Sequence, residues 1–152
     1  MTDQNTIFAS GEHMARNVPH SAALGLEIGA PVDGRGVMRV PWRADLVGDP
    51  NTGAMAGGVI TALLDHACGY GVRFGIPDMN FPIATLDLRI DYMRASKKGV
   101  AVTAVAHCYK VTRSIAFVRA HAYDDDPNDP IATAQASFIL NRPDTPQSGS
   151  TS

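Results

Sequence analysis

The sequence predicts a single α+β domain in which an antiparallel β-sheet wraps around one long central helix. The first observation is the stretch "AMAGGVITALLDHACG", Ala54–Gly69, which is apolar nearly all round and opens on two glycines. The second is a change of period after it. In "ATLDLRIDYM", Leu86, Leu88, Ile90 and Tyr92 share one face, with Thr85, Asp87, Arg89 and Asp91 on the other. The third is two rows of small residues, Ala116, Val118, Ala120 and Ala122, then Ala132, Ala134 and Ala136. A sheet face lined this way lets a helix lie close. With one long helix available, wrapping the sheet around it is the simplest way to bury both.

Each element follows in order. Residues 1–18 read as a flexible N-terminal arm, with a short helix at "GEHMARN". The domain proper spans 19–141. "AALGLEIGAPVDGRGVMRVPW" reads as two short strands joined by a turn at Asp33-Gly34. "RADLVGDPNTG" is a polar loop, and the long helix runs from about Ala56 to Val72. After "GIPDMNFP" comes the strand "ATLDLRIDYM", then the turn "RASKKG". "VAVTAVAHCYKV" and "SIAFVRAHAY" form a hairpin around "TRS", "DDDPNDP" turns the chain, and "IATAQASFIL" is the last strand of a meander. Residues 142–152 have the composition of a disordered tail.

Bulk properties exclude several classes. The 152 residues suit one domain with a real core. A formal net charge of −2 gives no basic field for nucleic acid. The polar start is no secretory signal, and no apolar run approaches the roughly 20 residues that cross a bilayer. Cys68 and Cys108 read as free thiols, so a cytoplasmic, reducing location is expected. The five histidines show no metal-ligand spacing, and no phosphate or dinucleotide fingerprint occurs, so neither metal nor cofactor is expected.

The helix raises one question: why does an apolar helix carry Asp65 near its centre? Residues three, four and seven apart share a face. Ile60, Leu63, Leu64 and Ala67 form a bulky stripe for the sheet, whereas Gly58, Thr61, Ala62, Cys68 and Gly69 around Asp65 are all small. Small neighbours imply close approach by a ligand or another backbone. No long basic partner sits on the adjacent turns, and burying an unpaired carboxylate costs several kcal/mol. Two readings stay open: acid–base or nucleophilic chemistry, or a carboxylate satisfied by hydroxyl or backbone donors of a partner chain. His66 lies about 100° round the helix and does not share that face. Gly57 and Gly58, at the helix start, offer unpaired N–H groups and the positive end of the dipole, where a developing oxyanion would be held.

"TGAMAGGVITALLDHACG" resembles the helix-start motif of PaaI-like hotdog-fold acyl-CoA thioesterases, G-x-x-H-G-G followed by apolar residues and L-x-D-x-A. "ATLDLRIDYMRAS" and "HSAALGLEIG" are similar to that family's next strand and opening segment, so the resemblance spans roughly Pro19–Asn141. It implies the hotdog fold and hydrolysis of acyl-CoA thioesters without metal or prosthetic group. It also implies an oxyanion donor at Gly57, and a base or nucleophile at Asp65 contributed by the neighbouring subunit. Thr85 falls where relatives carry a hydroxyl that helps hold the water, although strict alternation puts it on the polar strand face. An asparagine upstream in the family corresponds to Asn51, with Asp49 as rival. Gly58 and Met55 would line the substrate site, and Arg94, Lys97 and Arg113 would meet the phosphates of coenzyme A. One departure stands out: the family's motif histidine is Ala56 here.

Ala56 keeps a second reading open, a non-catalytic acyl-CoA binding or sensing protein. A hydratase on the same fold is a third, but adjacent Asp65 and His66 do not give the paired geometry it needs. A helix apolar on nearly all sides needs a second cover. An isologous homodimer would supply it, and the family resemblance adds a homotetramer built as a dimer of dimers. The expected partners are thus acyl-CoA and further copies of the chain, with no nucleic acid and no membrane.

Overall fold

The computed structural model describes residues 4–30 and 32–144. Helices α1 (Gln4–Arg16) and α2 (Pro19–Leu24) lead into β1 (Glu27–Ile28) and β2 (Gly36–Val40). A small hairpin of β3 (Val47–Asp49) and β4 (Ala54–Met55) precedes the long helix α3 (Gly57–Gly75). Four long strands follow: β5 (Ile83–Tyr92), β6 (Val102–Val111), β7 (Ile115–Tyr123) and β8 (Ala132–Leu140). Six strands form one antiparallel sheet in the order β1-β2-β6-β7-β8-β5, and α3 packs against five of them. This is the α+β wrapping that the sequence predicts.

Small residues set the distance between the two layers. The inward rows Ala104 and Ala106, Ala116 to Ala122, and Ala132 to Ala136 are all buried. At β2 the approach is backbone to backbone: a Cβ on Gly36 would lie 2.7 Å from the amide nitrogen of Gly71 in α3. A Cβ on Gly71 would in turn lie 3.1 Å from that of Ala106. The helix buries Ile60, Leu63, Leu64, Ala67 and Val72, the stripe expected from 3.6-residue spacing. It ends at Gly75, three residues past the expected Val72, and Pro77 stands two residues beyond that end.

Several expectations are corrected. The expected N-terminal arm is largely the helix α1, whose Ile7, Gly11 and Ala15 are buried four residues apart. Gly11 lies so near the Tyr70 ring that a Cβ there would come within 2.6 Å of it. Two of those three residues are small, so the stripe carried little hydrophobic signal. "AAL" belongs to α2 rather than to a strand; Gly25, in the left-handed conformation at φ 72°, ends that helix. The Asp33-Gly34 turn is found, with Gly34 at φ 61° and Arg35 N–H donating to Val32 O over 2.8 Å. The polar loop contains a 3-10 turn, Ala44–Leu46, and the β3–β4 hairpin. The last eight residues of the expected tail, 145–152, lie outside the described residues.

Two corrections concern the sheet. β5 does not begin the meander; it pairs with β8 at the far edge, and the chain crosses back to start β6. Its alternation is also broken. Thr85 pairs with Phe138 and Asp87 with Ser137, which leaves Leu86 as the extra residue of a β-bulge. Thr85 therefore shares the inward face with Leu88, Ile90 and Tyr92, opposite Phe138, Ala136, Ala134 and Ala132, while Leu86 is 52% exposed.

The Gly36–Gly71 contact yields a test. Gly36→Ala is expected to lower the unfolding free energy by about 1–3 kcal/mol, the range for overpacking, because backbone rather than a flexible side chain blocks the new methyl. Urea unfolding checks it; an unchanged midpoint would mean that the two layers can part there without penalty.

Candidate active site

Asp65 sits on the face of α3 that the sheet leaves open and is half-buried. The hydroxyl of Thr85 donates to its Oδ1 over 2.8 Å. The bulge at Leu86 is what aims Thr85 at the helix, so the partner that strict alternation denied to Asp65 comes from this chain's own edge strand. The carboxylate is neither fully buried nor unpaired. Cys68, one turn on, is fully buried, and burial together with the Asp65 charge pushes its thiol up to about 12; it acts as packing. His66 points elsewhere, toward the buried hydroxyl of Ser21 at 3.1 Å from Nε2. Burial holds its pKa below the ordinary histidine value, with Asp65 opposing and His20 adding to the shift.

The helix start is built without a side-chain cap. Ala56 is extended (φ −59°, ψ 141°), and its N–H donates to Leu46 O over 2.9 Å. Its carbonyl accepts from Val59 N–H at 3.0 Å and Ile60 N–H at 3.4 Å. Gly57 and Gly58 are left as exposed first-turn residues whose N–H groups have no helical acceptor. Nothing described lies within 4 Å of where a Gly58 Cβ would stand. The packing of this chain therefore gives no reason for glycine at that position.

Two site residues escaped the sequence reading. Tyr92 Oη lies 2.9 Å from Gly57 O and within hydrogen-bonding distance of Thr61 Oγ1, itself 3.0 Å from Gly57 O. Two hydroxyl protons thus serve three contacts and tie the edge strand to the first turn of α3. Buried Ser96 Oγ accepts from Met55 N–H at 2.9 Å and fixes the strand entering the helix. Tyr92 was visible only as one more member of an apolar row, and Ser96 as part of a turn. Met55, Gly57, Tyr92, Met93 and Ser96 line a cleft of about 370 Å³ at this end of the helix.

The other expected residues fall apart from it. Asn51 is exposed in the β3–β4 turn, where its N–H donates to Asp49 Oδ1, and it does not line the cleft; Asp49 is the acceptor that shapes the turn. Arg94 borders the cleft with its four Nη N–H groups engaged and its Nε without a hydrogen bond. Its Nη atoms donate to both oxygens of Asp124, at 2.6 and 3.0 Å, and to the carbonyls of Ala95 and Asp129. Nε lies 3.2 Å from Asp129 Oδ2, paired in charge though out of line for a hydrogen bond. A phosphate at Arg94 would have to compete with acceptors of this chain for its Nη donors. Lys97 Nζ pairs with Asp125 at 2.7 Å on the surface. Arg113 lies at the opposite end of the sheet from Gly57, beside the Ile115–Ile139 pair, whereas Tyr92–Ala132 marks the Gly57 end.

Comparison with known proteins agrees with this geometry. The thioesterase superfamily profile matches residues 52–131. A crystal structure of a Pseudomonas aeruginosa protein shares 34% identity at a TM-score of 0.78, covering 88% of this chain and 98% of that one. The phenylacetic acid degradation protein PaaI of Thermus thermophilus, as a mutant structure, shares 26% identity at a TM-score of 0.67, covering 80% and 97%. A Halobacterium salinarum protein whose name proposes an esterase is 28% identical over 127 residues, 80% of this chain and 83% of its own length. The chain belongs to the thioesterase superfamily, in its PaaI-like, hotdog-fold branch. Membership makes it a hydrolase of the thioester class in general terms. Among the described residues, no helix is long and apolar enough to cross a membrane.

The Arg94–Asp124 pair carries a pH signature. Hydrogen bonding to Arg94, helped by the N–H groups of Asp125 and Lys97, holds the Asp124 carboxyl well below the usual carboxylate range against the opposing effect of burial. A folded pKa below the unfolded one adds stability that is complete above about pH 4 and is lost as pH falls further. Asp124→Asn is expected to destabilise at pH 7 by somewhat less than the roughly 3–5 kcal/mol of a fully buried broken pair, since the Arg94 side chain remains 24% exposed. It should also flatten the loss of stability below pH 4. Denaturant unfolding from pH 7 to 2.5 checks both; parallel curves for the two proteins would contradict the assignment.

Proposed function

We propose that the protein hydrolyses acyl-CoA thioesters to the free acid and coenzyme A, with Asp65 as general base or nucleophile and the Gly57 N–H as oxyanion donor. The observation that carries this reading is the Thr85–Asp65 hydrogen bond on the open face of α3. It orients one carboxylate oxygen and leaves the other available to water or to the thioester carbon. Water loses its proton to Asp65 as it attacks, and the Gly57 amide and helix dipole stabilise the oxyanion. The acyl–sulfur bond then breaks, and Asp65 returns the proton to the departing thiolate. Met55 and Gly58 would border the acyl group.

Gly57 and Asp65 lie eight residues apart on one helix, about 12 Å along its axis, so they cannot attend the same carbonyl. A homodimer, or a tetramer of such dimers, supplies Asp65 of one protomer and Gly57 of its partner. β5 supports this arrangement: it is an edge strand of ten residues, with Leu86 and Tyr92 more than half exposed and Met93, just past its end, exposed as well. A long apolar edge left unpaired is a template for a second strand. The open surroundings of Gly58 fit a partner surface or a substrate. The free thiols Cys68 and Cys108 are consistent with a cytoplasmic location.

Asp65→Asn is expected to fold normally and to lose at least a hundredfold in kcat on a panel of aryl- and alkyl-CoA thioesters. Thr85→Val should lose less, about tenfold, within the range of a positioning hydrogen bond. A single turnover in ¹⁸O-labelled water separates the two routes, since a base places label in the first acid formed and a nucleophile contributes its own oxygen. Wild-type binding of acyl-CoA without thiol release would favour the sensing reading, for which Ala56 in the histidine position is the supporting observation. Light scattering that gave a monomer at micromolar concentration would defeat the shared site.

A further inference from the structure

The sheet face turned away from α3 carries an ordered row of basic and polar side chains. His107 on β6, Arg119 on β7, Gln135 on β8 and Arg89 on β5 stand side by side in register across four strands. The next row holds Val105, His121, Thr133 and Asp91. Arg35, from the turn before β2, closes the other side of a concavity of about 550 Å³ lined by these residues.

Directly opposed side chains on a sheet have Cβ atoms only about 5 Å apart, and like charges there repel. One carboxylate, Asp91, relieves Arg89 at 3.4 Å. Among the described residues, Arg35 and Arg119 have no ion-pair partner. Arg119 instead lies over the Tyr109 ring, 4.0 Å from its centre, which fixes the guanidinium without neutralising it. Burial and the Arg35 charge both act to keep His121 neutral. The chain as a whole is net negative, and its densest acidic cluster, Asp124, Asp125, Asp126 and Asp129, lies elsewhere, between β7 and β8. On this face Glu27 pairs with Arg39 and Asp91 with Arg89, and Asp87 stands in the row beyond Arg89. Arg35 and Arg119 are thus left as unneutralised positive charges around the concavity. A second copy stacked here about a two-fold axis would bring the same row against itself; a small anion meets no such repulsion.

We propose that this concavity binds a small polyanion bearing two or more phosphate groups, on the far side of the sheet from Asp65. Guanidinium groups engage phosphate oxygens two at a time, and Arg35 and Arg119 are the arginines free to do so. The phosphates could belong to a free polyphosphate-type ligand or to the nucleotide end of coenzyme A.

Calorimetric titration of the full-length protein with sodium tripolyphosphate, at constant ionic strength, tests the site without any turnover, so its failure would leave the reading of Asp65 untouched. Saturable binding is expected in the wild type and in an Arg16→Gln control. In the Arg35→Gln/Arg119→Gln double variant it should be at least tenfold weaker, with circular dichroism and assembly mass unchanged. Repeating the titration with coenzyme A present distinguishes the sources: competition assigns the site to the phosphates of coenzyme A, and additive binding to a separate ligand. No saturable binding, equal affinity in the double variant, or a double variant of altered assembly mass would overturn the proposal, the last by making this face an interface between copies.

Discussion

The rest of the structure depends on how closely the backbone of α3 approaches the sheet. Where Gly36 meets Gly71, no side chain separates strand from helix, and the alanines of β6, β7 and β8 keep the remaining spacing short. Dispersion contacts fall away steeply with distance, so a close approach packs a thin layer of small residues as firmly as larger residues would fill a wider gap. It also fixes the helix in depth and rotation. Asp65 can stand 2.8 Å from Thr85 only because both layers are held at that separation.

At its start the helix is held by backbone and hydroxyl groups rather than by a capping side chain. Leu46 O, Ser96 Oγ, Thr61 Oγ1 and Tyr92 Oη surround residues 55–57, and each contact is made by an element distant in sequence or one turn on. The Gly57 and Gly58 amides stay available because the groups around them engage their neighbours instead. Arg94 belongs to the same framework. Its charge is absorbed by Asp124 and Asp129, which anchors the turn after β5 beside the cleft.

Much of this was legible in the sequence, and the parts that were not share physical causes. The long helix, the alanine rows and the small-residue face around Asp65 follow from period alone, since each repeats a simple geometry several times. The bulge at Leu86 does not, because one added residue leaves composition and hydropathy nearly untouched while reversing which side chains face inward. The helix α1 was underestimated because Gly11 and Ala15 bury well but weigh little on any hydrophobic scale. The partners of Arg94 were hidden for another reason: the turn residues near it in sequence are basic, whereas its acidic partners arrive some 30 residues later. Loop-to-loop pairing of that range has no periodic trace.

The bulge has a consequence for how such chains descend from one another. One inserted codon in β5 is enough to set the two inward hydroxyls, Thr85 and Tyr92, seven residues apart while both keep their places in space. Removing Leu86 would regularise the strand and still leave both hydroxyls inward, only one position nearer to each other in the gene, with Thr85 as far from Asp65 as before. The spacing between the two groups is thus free to drift in a lineage whose chemistry stays constant. Any signature written as a fixed count of residues between them will divide close kin.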